Sequence, residues 1–160
     1  MTDLRTRRTL AAIDRNMYAL MATHGFAAIN VTMICSAANI TRSTYYQYYL
    51  DKNDWLERAC GHYLLVAEQT ALELDDVTPL VSRLAPEAKR VLALLAVHDP
   101  AGDLAEQLHE WFAGAFGQGY LAQVYAAAAV TTLQWQLAHP KDRDAAQHFA
   151  QIVAQLQTNA

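Results

Sequence analysis

The sequence predicts an all-α chain with a three-helix N-terminal head, a long connecting helix and a helical C-terminal body. Three observations carry this prediction. Apolar residues recur at three-four spacing along most of the 160 residues. Residues suited to helix caps, Asn, Asp, Thr, Gly and Pro, stand where those periodic stretches begin and end. No segment alternates apolar and polar residues strongly enough to compete as a strand, and no internal repeat or low-complexity stretch interrupts the pattern.

Residues 4–24 carry Leu10, Ile13, Met17, Leu20 and Met21 on one stripe, the spacing of an amphipathic helix. Thr2 or Asp3 can cap its start, and Gly25 suits its stop. Phe26 and Ile29 turn back toward the core. Asn30 is a good N-cap for a second helix, with Val31, Ile34, Cys35 and Ala38 on one side. Asn39 can take the left-handed conformation that ends a helix. Thr41 can then cap a third helix that runs to about Tyr49. On it Tyr45 and Tyr49 lie one turn apart and share a face with Ile40, while Ser43 and Gln47 point the other way. A short helix with one packed face and a small, hydroxyl-rich outer face suits a DNA groove. Met17, Leu20, Phe26, Ile34, Ile40, Tyr45 and Tyr49 would hold these three helices together. The domains expected are residues 1–52 and 53–160.

Asp51 is a plausible cap for a fourth helix reaching about Leu74, with Trp55, Leu56, Ala59, Tyr63, Val66 and Thr70 as its inner positions. Thr78-Pro79 reads as a cap followed by proline in the first turn. Pro86 to Val97 forms the next helical segment, and His98-Asp99-Pro100-Ala101-Gly102 breaks it. A helix from Asp103 to about Ala113 follows, with an interruption expected at Gly114, Gly117 and Gly119. Residues 120–138 and 142–157 carry the last two helices, with Phe149, Ile152, Val153 and Leu156 on one face of the second.

Composition narrows the class. Apolar residues make up 53% of the chain and charged residues 18%, so it is not largely disordered. No run approaches the roughly 18 consecutive apolar residues of a membrane span, and the start Met1-Thr2-Asp3-Leu4-Arg5 lacks the form of a signal peptide. Cys35 and Cys60 are too few for a disulfide framework and read as buried thiols in a reducing cytoplasm. The net charge of -4 divides unevenly: residues 1–58 sum to +2 and residues 59–160 to -6. A mildly basic head on an acidic body fits a chain whose head alone meets phosphate.

The first 58 residues resemble the TetR family of bacterial transcriptional regulators. The resemblance rests on Gly25-Phe26 after the first helix, on the Asn30-capped second helix, and on the run Ile40-Thr41-Arg42-Ser43-Thr44-Tyr45-Tyr46-Gln47-Tyr48-Tyr49 with Lys52 following. Asn39 stands where the family usually has Gly, Ser43 where it has another small residue, and Tyr45 and Tyr49 where it has Leu or Phe and Phe. These changes keep shape and capping chemistry.

The resemblance implies a set of DNA contacts. Thr41, Arg42, Ser43 and Thr44 would open the recognition helix toward bases and phosphates. Arg42 is the candidate for guanine, since Arg can make two hydrogen bonds to it in the major groove, and Gln47 can pair with adenine. Tyr46 and Tyr48 would reach backbone phosphate, and Lys52 would add its charge at a helix N-terminus. Asn30 and Thr32 would contribute phosphate contacts from the second helix. Each has an ordinary alternative. Tyr46 and Lys52 can be plain surface residues, Arg42 can pair with an acidic neighbour, and Arg7 and Arg8 can be an arm on DNA or a solvated tail.

For the body, the resemblance implies a closing helix pair used for dimerisation. Tyr125, Ala128, Ala129, Leu133, Ile152 and Leu156 are its candidates, against the alternative of a tightly packed internal helix. Tyr63, Trp111, Phe112 and Tyr120 are candidates for a ligand pocket, against the alternative of plain core. The expected function is a DNA-binding transcriptional regulator, a ligand-responsive homodimeric repressor that binds a palindromic operator through the helix at 41–49. Its partners would be the double-stranded DNA operator, a second copy of the chain and a small-molecule effector, in the cytoplasm and without a membrane. The alternative is a helical adaptor of the same fold acting through a protein partner.

Other chemistry finds little support. The six histidines show no His-Glu-x-x-His pair or other tight ligand spacing, so no metal or other cofactor is expected. Ser36, Ser43 and Ser82 lack nucleophile-elbow glycines. Gly114 to Gly119 follows a helical pattern rather than a strand, which argues against a phosphate-cradling loop. An enzyme is not expected.

Overall fold

A computed structural model describes residues 4–142 and 144–158. Among these residues the helices are α1 (Leu4–His24), α2 (Val31–Ala38), α3 (Arg42–Tyr46), α4 (Lys52–Glu68), α5 (Thr78–Leu84), α6 (Ala88–Leu95), α7 (Leu104–Phe116), α8 (Tyr120–Ala138) and α9 (Asp144–Thr158), with a 3-10 turn at Ala85–Glu87. The extended pairings among them are isolated bridges at Glu73–Asp76 and Asp99–Gly102. The fold is all-α, as the periodicity predicts. The caps Thr2 and Asp3 lie outside the described residues.

The chain divides into two compact units, the first reaching Ala59 and the second starting at Cys60. The first extends past the boundary expected at residue 52 because it needs the opening turns of α4. Trp55 and Leu56 are buried. The Trp55 Nε1 donates to Asp14 Oδ1 at 2.7 Å, and the Tyr18 ring meets the indole edge-on at 5.2 Å. Burying an aromatic or leucine side chain contributes about 1.5–3 kcal/mol, and Trp55, through Asp14 and Tyr18, anchors α4 against α1.

The head's local signals act as read. Gly25 has φ +72° and its N–H reaches the Met21 carbonyl, closing α1. The Asn30 side chain accepts from the Met33 N–H at 3.0 Å. Asn39 is left-handed, with φ 52° and ψ 50°. Asp51 accepts from the Asp54 N–H at 2.8 Å and so caps α4.

Four boundaries differ from the sequence reading. α3 stops at Tyr46 rather than Tyr49, since the Gln47 and Tyr48 N–H groups bond back three residues, to Thr44 and Tyr45, in a tighter 3-10 geometry. α4 ends at Glu68 rather than near Leu74. There the Thr70 hydroxyl and the Arg83 guanidinium both donate to the Val66 carbonyl, satisfying the helix end without another turn. α5 is not capped by Thr78, whose N–H instead donates to Asp76 Oδ1 at 2.8 Å. α7 runs through Gly114 and stops at Gly117, with φ +137°, because its buried stripe of Leu104, Leu108 and Phe112 carries the helix past the first glycine.

In the second unit α8 packs on α7 and α9. Leu108, Phe112, Tyr125, Ala129, Leu133, Phe149 and Val153 form the core there. Small alanines on α8 let neighbouring helices approach closely, and the larger rings fill the remaining space.

Candidate nucleic-acid interface

α3 is braced from its inner side. Tyr45 is fully buried and its hydroxyl donates to the Asp51 carbonyl at 2.9 Å. The Tyr49 ring lies 5.6 Å from it. Burial raises both phenols, Tyr49 to about 12 and Tyr45 further, so neither ionises near neutral pH. Both tyrosines therefore act as packing groups, each with a polar end.

The outer side is polar and organised around Thr41. Its hydroxyl oxygen accepts from the Thr44 N–H at 3.1 Å. It also shares hydrogen bonds with Ser43 Oγ at 2.8 Å and Thr44 Oγ1 at 2.9 Å. Thr41, Arg42, Ser43, Tyr46 and Gln47 are exposed, while Thr44 is half-buried. Arg42 Nη2 donates to Thr32 Oγ1 at 2.7 Å, which ties α3 to α2. Arg42 thus finds a hydroxyl rather than an acidic neighbour. One of its five N–H donors is used in that bond, leaving others for an acceptor outside the chain. A groove runs beside it, floored by Leu20, Met33 and Ala37 and rimmed by Asn30, Thr32 and Ser36. Ser36 was not among the sequence candidates. The signal for it was its position one turn after Thr32.

The remaining head candidates sit differently from one another. Tyr46 is half-exposed, its ring edge-on to Tyr45 at 5.8 Å. Tyr48 is half-buried and its hydroxyl reaches Thr6 Oγ1 on α1 at 3.5 Å, so it leans on the head itself. Lys52 Nζ donates to the carbonyls of Phe26 and Ala27, both at 3.0 Å, and lies 4.7 Å from the centre of the Phe26 ring. Two of its three donors hold the loop between α1 and α2.

The body candidates divide by burial. Tyr63, Trp111, Phe112 and Tyr120 differ widely in burial. Phe112 is fully buried, Trp111 packs against it at 4.8 Å, and Tyr63 is buried with its hydroxyl on Glu87 Oε2. Tyr120 is 80% exposed at the start of α8. Of the dimer candidates, Tyr125, Ala129 and Leu133 are fully buried in their own unit, Tyr125 stacking on Phe116 at 4.8 Å. Such residues cannot meet a second copy. Ala128 and Leu156 are half-buried and Ile152 is 41% exposed, so these three keep access to the surface. α8 is apolar on nearly every side, so its sequence alone did not separate the inner face from the outer one. The outer face carries Ala127, Thr131 and Trp135.

Among the described residues no group of three or more His, Cys, Asp or Glu is placed to hold a metal ion. No helix among them is long and apolar enough to cross a membrane. Cys35 and Cys60 are free and buried. Burial raises both thiols, Cys60 to about 11, which leaves them protonated and poor nucleophiles at neutral pH.

No family model and no curated protein matches the sequence. Solved structures do match. A protein described as a TetR-family transcriptional regulator from Syntrophomonas wolfei is similar with a TM-score of 0.55 at 13% identity, over 96% of this chain and 95% of that one. The fatty acid degradation regulator FadR from Bacillus halodurans is similar with a TM-score of 0.55 at 17% identity, over 92% of this chain and 97% of that one. A gamma-butyrolactone receptor, an ArpA-like protein, is similar with a TM-score of 0.54 at 14% identity, over 99% of this chain and all of the other. With the helix-turn-helix geometry of α2 and α3, these matches establish that the chain has the all-α fold of TetR-family transcriptional regulators.

Proposed function

We propose that the protein is a DNA-binding transcriptional regulator, a homodimeric repressor in the cytoplasm that binds a palindromic operator through α3 and answers to a small-molecule effector. The observation that carries this reading is the division of α3: Tyr45 locks it from within, while Thr41, Arg42, Ser43, Tyr46 and Gln47 present donors and acceptors outward. Arg42 and Gln47 would read bases, and Asn30, Thr32, Ser43, Thr44 and Tyr46 would set register on phosphate and sugar. Tyr48 and Lys52, held by α1 and by the loop after it, would act chiefly by shaping the surface. In a two-fold dimer the two recognition helices enter successive major grooves, so the half-sites lie about one helical turn or somewhat more apart.

Dimerisation is supported by the outer face of α8. Trp135 is 48% exposed and Ile152 on α9 is 41% exposed, and large apolar groups of this kind favour a partner. An effector would act by differing affinity for DNA-competent and DNA-free states.

The test is fluorescence anisotropy on duplex DNA from the promoter beside the gene. Affinity should fall steeply with salt, and Arg42→Ala and Tyr46→Phe should each weaken it. Unchanged binding in both variants would overturn the assigned contacts. A flat salt dependence would favour an adaptor that works through a protein partner.

A further inference from the structure

Thr32 and Arg42 stand on different helices, yet their side chains meet. Arg42 opens α3, and its Nη2 donates to Thr32 Oγ1 at 2.7 Å. Thr32 is the second residue of α2. Both residues are exposed, and both line the groove floored by Leu20, Met33 and Ala37. The bond therefore lies on the surface that the proposed function turns toward DNA. Each end of it sits on a helix start held by its own cap. Asn30 accepts from the Met33 N–H at 3.0 Å to begin α2, and Thr41 accepts from the Thr44 N–H at 3.1 Å to begin α3.

A free arginine samples many rotamers, and fixing them on binding is an entropic cost that weakens recognition. A bond to a hydroxyl on a neighbouring helix removes part of that freedom beforehand. It also leaves the reading chemistry intact. Nη2 carries two hydrogens, one in the end-on fork with Nη1 and one in the side-on fork with Nε. Thr32 takes one of them, so a complete two-pronged edge remains, and such an edge matches O6 and N7 of guanine. The Thr32 hydroxyl acts as acceptor in this bond, so its own hydrogen remains for a phosphate oxygen. Its place in the first turn of α2, where the helix end favours an anion, suits that second contact.

We infer that Thr32 is a positioning residue for base readout: its hydroxyl holds the Arg42 guanidinium in one orientation and so sets how strongly the protein selects a guanine in the major groove. This role rests on the proposed DNA binding and deepens it, by naming the base that is read and the group that aims its reader. A Thr32 that only touched phosphate would change affinity for every duplex alike. A Thr32 that aims Arg42 changes the preference among bases.

The first measurement needs no DNA. By 15N relaxation, the order parameter of Arg42 Nε should fall in Thr32→Val, which keeps the shape and loses the hydroxyl, and hold at the parent's value in Thr32→Ser. Thr32 is exposed, so both variants should fold. The second measurement is anisotropy on the promoter duplex with each guanine replaced in turn by 7-deazaguanine, which lacks the N7 acceptor and still pairs. The guanine read by Arg42 is the one whose replacement weakens the parent about tenfold and leaves Arg42→Ala unaffected. In Thr32→Val that penalty should shrink to about threefold or less, and in Thr32→Ser it should stay about tenfold. An Arg42 order parameter or a guanine penalty that Thr32→Val leaves unchanged overturns the positioning role. So does a Thr32→Ser variant that behaves as Thr32→Val does. A duplex that binds with no Arg42-dependent guanine overturns the readout and leaves DNA binding standing, whereas failure to bind any duplex sinks the proposed function itself.

Discussion

Lys52 Nζ sits 3.0 Å from the Phe26 carbonyl oxygen and 4.7 Å from the centre of the same residue's ring. One lysine thus fastens the first turn of α4 to the loop that follows α1. A hydrogen bond from a charged donor contributes about 1.5–3 kcal/mol, and an exposed cation–π contact about 0.5–1. Lys52→Met should therefore lower the urea midpoint of the head by the equivalent of roughly 2 kcal/mol. A midpoint equal to that of the parent protein would show that Lys52 is an ordinary surface charge.

Trp55 and Asp14 form a second fastening within the head, through an indole N–H donor at 2.7 Å. Trp55→Phe keeps a ring but removes the donor and some volume, leaving a half-buried carboxylate short of a partner. The expected loss is roughly 1–3 kcal/mol. Adding Asp14→Asn should recover part of it, because the uncharged amide tolerates the missing donor better. A double-mutant cycle with no coupling would contradict the bond.

Asp54 gives the head a defined acid sensitivity. Its carboxylate accepts the Leu50 N–H at 2.8 Å and two bonds from Arg58, at 2.8 and 3.0 Å. The Leu50 bond first, then Arg58, holds its pKa below the ordinary value of 3.8. A carboxyl lowered in the folded state contributes stability that is complete above its unfolded pKa and lost as pH falls through the folded one. Asp54→Asn should thus destabilise the protein at pH 7, and the gap from the parent should narrow below about pH 4. Thermal melts at pH 7, 4 and 3 measure it. A gap that stays constant across that range would rule out the linkage.

The head was legible in the sequence because its signals are local. Asn30, Asn39, Thr41 and Asp51 act on backbone groups within a few residues, and their chemistry fixes helix ends wherever they fall. The bonds that seat α4 were not legible, since Asp14 and Trp55 stand 41 residues apart and their pairing depends on how helices pack. The same limit applied to Lys52, whose charge at a helix start suggested phosphate until its carbonyl partners were visible. In the body the difficulty was symmetry. α8 offers alanine and large apolar residues all around, so Tyr125 and Leu133 looked as suited to a partner as Thr131 and Trp135. Aromatic residues at helical spacing pose a related difficulty: they fill space, as Phe112 does, as readily as they line it.

The inner and outer faces of α8 should now separate by experiment. Leu133 is fully buried, so Leu133→Ala should cost about 2–5 kcal/mol of body stability through the cavity it leaves. Trp135 and Ile152 are about half exposed, so Trp135→Ala with Ile152→Glu should cost the isolated subunit less, about 1 kcal/mol, chiefly the bond from Trp135 Nε1 to Asp142 and the stack on His139. That pair should instead weaken self-association, because the glutamate would place a charge in an apolar contact. Sedimentation velocity across a concentration series distinguishes the two effects. Should the pair leave the dimer intact, the outer face of α8 and α9 would not be the interface. Should the parent chain remain monomeric at every concentration, a two-fold operator complex would have to form on the DNA itself, and its binding isotherm would then be cooperative in protein.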